Sequence, residues 1–340
     1  PAASIAACSD GADEPDTPRA RPIVIAPAGP DSGAVGTGLA ASGAGFAPDE
    51  YPLAWKADGV VIAHAQRYRR GARADSTCRG SGFYELSRGR ARPIAIGPPA
   101  CTGAFSGIAA ADPEGRTVVY PAAPDFARLP ALIRHPLQVW YTDTIVTGCG
   151  GRFTRLAVSA DLEQLAAVGR CAEGGAGPAA LHLMMGNGNG LQAVLGNEEG
   201  EIGHIAWSAF GLSIVLDQRK PGEEPSLNWF ILGERALVKL ADGTDPAWSP
   251  TGEWIAFLAE GRGGRAEIRR VPSVRGSRPR LVYRAAPGEP PPGGPLVWSP
   301  DGRSLLFTRR SPRGTTIWRV DLRTRTATPV TGRDTTASGR

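Results

Sequence analysis

Histidine and cysteine are the side chains here best suited to nucleophilic or metal chemistry, and the 340 residues hold only four His and five Cys. The histidines, His64, His135, His182 and His204, stand in unrelated contexts, which suits hydrogen-bonded scaffold roles better than a shared ligand set. No CxxC pair occurs and no His sits beside a Cys, so a zinc site is not expected. HExxH, GxSxG, a Walker-type loop and a GxGxxG after a strand are absent too. The glycine cluster Gly186-Asn-Gly-Asn-Gly190 favours a tight hairpin, because no helix pattern follows it to meet a phosphate. On these grounds no catalytic residue, metal or cofactor is expected, and the chain reads as a non-enzyme.

The cysteines point to export. Ile5-Ala-Ala-Cys8 resembles a bacterial lipobox, with a branched apolar residue, two small residues and then the Cys that receives a lipid. Cys8 is therefore an expected lipidation site, and the acidic, Pro-rich residues up to 20 an expected flexible tether. The other four fall as sequence-local pairs, Cys78 with Cys101 and Cys149 with Cys171, which suits disulfides in an oxidising compartment. Four cysteines allow three connectivities, and buried free thiols are the alternative.

Composition narrows the classes. Apolar residues at 41% and charged residues at 21% allow a large core and exclude global disorder. With 45 Gly and 31 Pro, many short strands joined by tight turns fit better than long helices. The formal charge of +5 comes from dispersed Arg, with Lys only at Lys56, Lys220 and Lys239, and no basic stripe with interleaved aromatics marks a nucleic-acid surface. No run of 18 apolar residues is present to span a bilayer as a helix.

The elements that position these residues come from an internal repeat. Pro246-Ala-Trp-Ser-Pro-Thr-Gly-Glu-Trp-Ile-Ala-Phe-Leu258 matches Leu296-Val-Trp-Ser-Pro-Asp-Gly-Arg-Ser-Leu-Leu-Phe-Thr308, each reading strand, turn, strand. Weaker copies are anchored at Trp55, Ala111, Val158 and Trp207. With Trp248 and Trp298 the six anchors lie 56, 47, 49, 41 and 50 residues apart, the spacing of four-stranded propeller blades. The residue before each anchor is Ala54, Ala110, Ala157, Ala206, Ala247 or Val297, small enough for strands converging on an axis. The recurrent Trp residues are then wedges between blades, not a carbohydrate platform.

Second strands follow each turn. Third strands are often aromatic, as in Phe83-Tyr84, Val139-Trp-Tyr141, Trp229-Phe-Ile231 and Ile317-Trp-Arg-Val320. Fourth strands are shorter and more polar. Three residues before the anchors stand Pro52, Ile108, Arg155, His204, Asp245 and Pro295. Arg155, His204 and Asp245, from consecutive units, could line one polar wall of an axial ligand funnel. They could equally solvate the mouth of a water-filled pore, which is the plainer reading.

The Trp-Ser-Pro-Asp-Gly repeat followed by an apolar strand is similar to the WD-like repeat of the TolB family of β-propellers, over about residues 51–332. The resemblance implies an all-β, six-bladed propeller, without the N-terminal α/β domain of TolB proper. Residues 1–20 are then signal remnant and tether, 21–50 a linker containing a possible closing strand over 21–27, and 333–340 a tail. The expected role is a monomeric, lipid-anchored platform at the cell envelope, binding a protein or glycan and no nucleic acid. A propeller enzyme or ligand sensor using the axial funnel is the alternative.

Overall fold

The computed structural model describes residues 46–69, 82–87, 90–94, 109–121, 131–138, 143–149, 153–171, 178–196, 200–311 and 314–330. Every regular element among them is a strand, and none is a helix long and apolar enough to cross a membrane.

The strands form six antiparallel, four-stranded blades in chain order. Blade 1 holds β1 (Phe46–Trp55), β2 (Val61–Arg69), β3 (Gly82–Ser87) and β4 (Arg90–Ile94). Blade 2 holds β5 (Ala110–Ala111), β6 (Thr117–Pro121), β7 (Ala131–Pro136) and β8 (Asp143–Val146). Blade 3 holds β9 (Phe153–Val158), β10 (Gln164–Gly169), β11 (Ala180–Met185) and β12 (Gln192–Gly196). Blade 4 holds β13 (Glu201–Trp207), β14 (Ser213–Arg219), β15 (Ser226–Ile231) and β16 (Ala236–Asp242). Blade 5 holds β17 (Thr244–Trp248), β18 (Trp254–Glu260), β19 (Ala266–Pro272) and β20 (Arg280–Arg284). Blade 6 holds β21 (Pro292–Trp298), β22 (Ser304–Ser311), β23 (Gly314–Asp321) and β24 (Ala327–Pro329).

The repeat turn owes its shape to its first and third residues. In blade 6 the Ser304 N–H donates to Ser299 Oγ at 2.9 Å and Ser299 Oγ donates to Asp301 Oδ1 at 2.6 Å. The Arg303 N–H donates to the same Asp301 oxygen at 3.0 Å, and Gly302 takes the left-handed φ of +67° that the exit requires. Ser159 and Asp161 repeat these bonds in blade 3, where Leu162 occupies the left-handed position at φ +63°.

Packing between blades explains the small residue before each anchor. Ala54 shares an apolar cluster with Ala111, Ala110 with Val158, Ala157 with Trp207, Ala206 with Trp248, Ala247 with Trp298 and Val297 with Trp55. Each anchor thus joins the cluster that holds the small residue of the preceding blade, and the cluster of Trp55 and Val297 completes the circle. The Trp207 Nε1–H donates to the Ala157 carbonyl at 3.2 Å and the Trp298 Nε1–H to the Ala247 carbonyl at 3.0 Å. An indole wedged against a neighbouring backbone needs a Cβ and no more beneath it.

One expectation is corrected. The third strand of blade 2 is β7, not Val139 to Tyr141. The aromatic cue misplaced it, whereas in β7 Leu132 and His135, three residues apart, are buried. The possible closing strand over 21–27 lies outside the described residues. Among those described, β1 reaches β23 in a parallel pairing of Asp49 with Thr315, joining blades 1 and 6 into one eight-stranded sheet.

Candidate functional site

The first strands of all six blades line an axial channel of about 450 Å3. Its waist is the ring of small residues. One rim is built by the repeat turns, through Pro113, Ala160, Ala209, Pro250 and Pro300, and the other carries Pro52, Arg155, His204, Asp245 and Pro295.

Irregularities in the inner strands aim this second set. In β13 the pairing with β14 jumps from Ile202–Gln218 to Ile205–Leu216, so Gly203 and His204 leave the ladder. In β17 it jumps from Thr244–Leu258 to Ala247–Ala256, releasing Asp245 and Pro246. In β21 the break falls between Gly293 and Val297. Such bulges redirect side chains that regular pleating would send into a blade interface. Asp245 also adopts a left-handed φ of +54°, a conformation that Asp tolerates better than most residues.

Arg155, His204 and Asp245 share this rim, and His204 and Asp245 meet directly: His204 Nδ1 lies 3.3 Å from Asp245 Oδ1. Sequence reasoning missed a fourth member. Asp217, on the second strand β14, places Oδ2 3.6 Å from the same nitrogen and accepts the Asp245 N–H at 2.8 Å. Its signal was a lone acid closing the apolar run Ser213-Ile-Val-Leu, at a position where the other repeats have Ala65, Pro121, Val168, Leu258 and Thr308. In blade 6 that position does milder work, since Thr308 Oγ1 donates to the Gly294 carbonyl at 2.9 Å.

Two glycines make room for the carboxylates. A Cβ at Gly203 would lie 1.8 Å from Asp217 Oδ1, and one at Gly294 would lie 1.9 Å from Asp245 Oδ1. The electrostatics favour a retained proton. Burial alone would push the His204 pKa down, but the hydrogen bond with Asp217 and the charges of Asp245 and Asp217 override it, with Arg155 opposing, and the net direction is up. Burial, reinforced by the charge of Asp217, holds the Asp245 carboxyl above its ordinary range despite His204. Arg155 donates to the Thr154 carbonyl at 2.7 Å through Nη1, while its buried Nε has no hydrogen-bond partner.

The remaining candidates lie elsewhere. His135 on β7 and His182 on β11 are buried scaffold, His182 Nδ1 lying 3.0 Å from the Ala180 carbonyl. The side chain of His64 is outside the described residues, as are Cys8, Cys78 and Cys101. Cys149 and Cys171 form a disulfide. Gly186 to Gly190 build the β11–β12 hairpin, with the Met185 N–H donating to the Asn189 carbonyl at 2.8 Å.

No protein-family model matches the chain. A 65-residue stretch is 37% identical to the uncharacterized peptidase YuxL of Bacillus subtilis (strain 168), covering 19% of this chain and 9% of that protein. Among solved structures, an oligogalacturonate lyase in complex with manganese superposes with a TM-score of 0.59 at 12% identity, over 88% of this chain and 85% of that one. TolB from Acinetobacter baumannii superposes with a TM-score of 0.53 at 12% identity, over 83% of this chain and 62% of that one. A nidogen/laminin complex gives 0.54 at 10% identity, over 83% and 92%. These likenesses correct the expectation of a non-enzyme: the ring that serves TolB also serves a lyase, and the sequence match is to a peptidase. In fold, the chain is a six-bladed β-propeller of the TolB-like kind.

Proposed function

We propose that this chain is an exported propeller that binds a small polar ligand in its axial channel, at the rim formed by Arg155, His204, Asp217 and Asp245. The observation carrying this reading is the convergence of His204 and Asp245, from different blades, on a 3.3 Å contact at the channel mouth. Mere solvation of a pore does not require two glycines cleared for carboxylates. At about 450 Å3 the channel falls within the range of small-molecule sites. The Cys149–Cys171 disulfide supports an oxidising compartment. The test is a thermal-shift screen of neutral and acidic sugars and short peptides on the full chain and on its R155A/H204A/D245A variant. Binders of the wild type are expected to be lost in the variant; an unchanged set of binders overturns the reading.

A second reading, protein docking on the turn face, is favoured by Phe210. Its turn position is Asp58, Glu114, Asp161, Thr251 or Asp301 in the other repeats, and Asp58, Asp161 and Asp301 each accept a backbone N–H two residues on. Phe210 forgoes that bond and stands 72% exposed, with Leu212 close by at 71%. Phe210→Asp is expected to raise stability by about 0.5–1 kcal/mol through the regained bond and to abolish capture of a partner that docks here. Loss of stability in that variant would mean that Phe210 serves the fold.

A further inference from the structure

We infer that His204, Asp217 and Asp245 form a binding site for a divalent transition-metal ion, of the zinc class, with an open coordination position facing the axial channel. The inference rests on the channel reading above and names what its rim would hold. One imidazole nitrogen and two carboxylate oxygens come within 4.8 Å of one another, contributed by β13 and β14 of blade 4 and β17 of blade 5.

The spacing suits a metal site. His204 Nδ1 faces Asp245 Oδ1 at 3.3 Å and Asp217 Oδ2 at 3.6 Å. A single N–H on that nitrogen can be directed at only one of the two oxygens. Ligands bound to a tetrahedral ion at about 2.0–2.2 Å are separated by roughly 3.4 Å, close to the two separations measured from His204 Nδ1. One imidazole and two carboxylates suit a borderline ion. Three protein ligands leave one position open, as in metal sites that take water or substrate.

The surroundings are those of ligands held in place. The Asp245 N–H bond fixes the Asp217 oxygen that faces His204, an outer contact of the kind that orients metal-binding carboxylates. Gly203 and Gly294 reserve the volume beside each carboxylate. The buried, unpartnered Nε of Arg155 on the same rim marks a donor left for a bound molecule. A carboxylate-bearing ligand would meet the ion and this guanidinium together, and the ion would cancel the repulsion that the two aspartates otherwise exert on it.

The test uses the full chain stripped with EDTA and then dialysed free of it, titrated calorimetrically with zinc chloride. One site per chain is expected, weakened 100-fold or more in Asp245→Asn and in Asp217→Asn, with thermal unfolding of each variant in EDTA showing an intact fold. Should either variant fail to fold, the visible spectrum of the cobalt-loaded wild type decides: an intense four-coordinate band supports the site, and a weak six-coordinate spectrum overturns it. No binding of the ion at millimolar concentration, or equal binding in the variants, also overturns it. Repeating the ligand screen in EDTA separates the two proposals, since ligands that still bind the wild type and not the R155A/H204A/D245A variant would leave the channel reading standing without the metal.

Discussion

Replacing Gly294 with Ala places a Cβ 1.9 Å from Asp245 Oδ1, so the carboxylate must swing away from His204. Gly233 offers a control, because nothing lies within 4 Å of a Cβ built there and its φ is not left-handed. Gly294→Ala is expected to weaken ligand binding at the channel rim at least tenfold, while Gly233→Ala leaves it unchanged; equal affinities by calorimetry would deny Asp245 its role. Elsewhere, Glu267 on β19 is fully buried between Arg269 and Arg284, with Arg269 Nη2 at 2.7 Å and Arg284 Nε at 2.6 Å. Burial would raise its pKa, but hydrogen bonds and charge from both arginines outweigh burial and hold the carboxyl below its ordinary value. The folded protein therefore releases this proton more readily than the unfolded chain does. The resulting stability is complete above the unfolded value of about 4.3 and is lost as pH falls through the folded one. Glu267→Gln should cost about 1–3 kcal/mol at pH 7 and progressively less below pH 4 in denaturant titrations. A cost independent of pH would mean that packing, not charge, is what the substitution removes.

At the scale of the strand, each inner strand does two jobs in a few residues. Its C-terminal end carries the anchor and the small residue before it, which pack against neighbouring blades, and its N-terminal end breaks register and faces the channel. Ala247→Leu should force Trp298 off the Ala247 carbonyl and cost about 1–3 kcal/mol through overpacking. A neutral result in equilibrium unfolding would show that the indole does not pack where the 3.0 Å bond places it. This half of the strand was legible in the sequence, because six copies of one packing problem leave six copies of one solution, Ala54 through Val297. The other half was legible only in part. Counting back three residues from the anchors found Arg155, His204 and Asp245, yet Asp217 escaped. It reaches the rim from a second strand across a bulge, and a one-dimensional register does not record that contact. In blade 2 the aromatic residues 139–141 drew the third strand away from β7, whose sequence Ala-Leu-Ile-Arg-His-Pro carries neither a Phe, Tyr or Trp nor a period-2 alternation.

For the whole molecule, the ring itself creates the site. Blades 4 and 5 hold the acids and the imidazole, blade 3 supplies Arg155, and none of these sheets could gather them alone. Closure depends on the apolar cluster shared by blades 1 and 6 and on β1 pairing with β23, so the first and last blades fix the geometry of a rim whose charged residues they do not carry. The apolar turn face around Phe210 lies at the opposite end of the same channel. That separation makes the central claim open to direct observation: a crystal structure of the full chain soaked with the strongest binder from the thermal-shift screen. The account predicts density in the channel touching Arg155, His204 and Asp245. Density confined to the outer surface or to the turns around Phe210, with the polar rim unchanged, would contradict it.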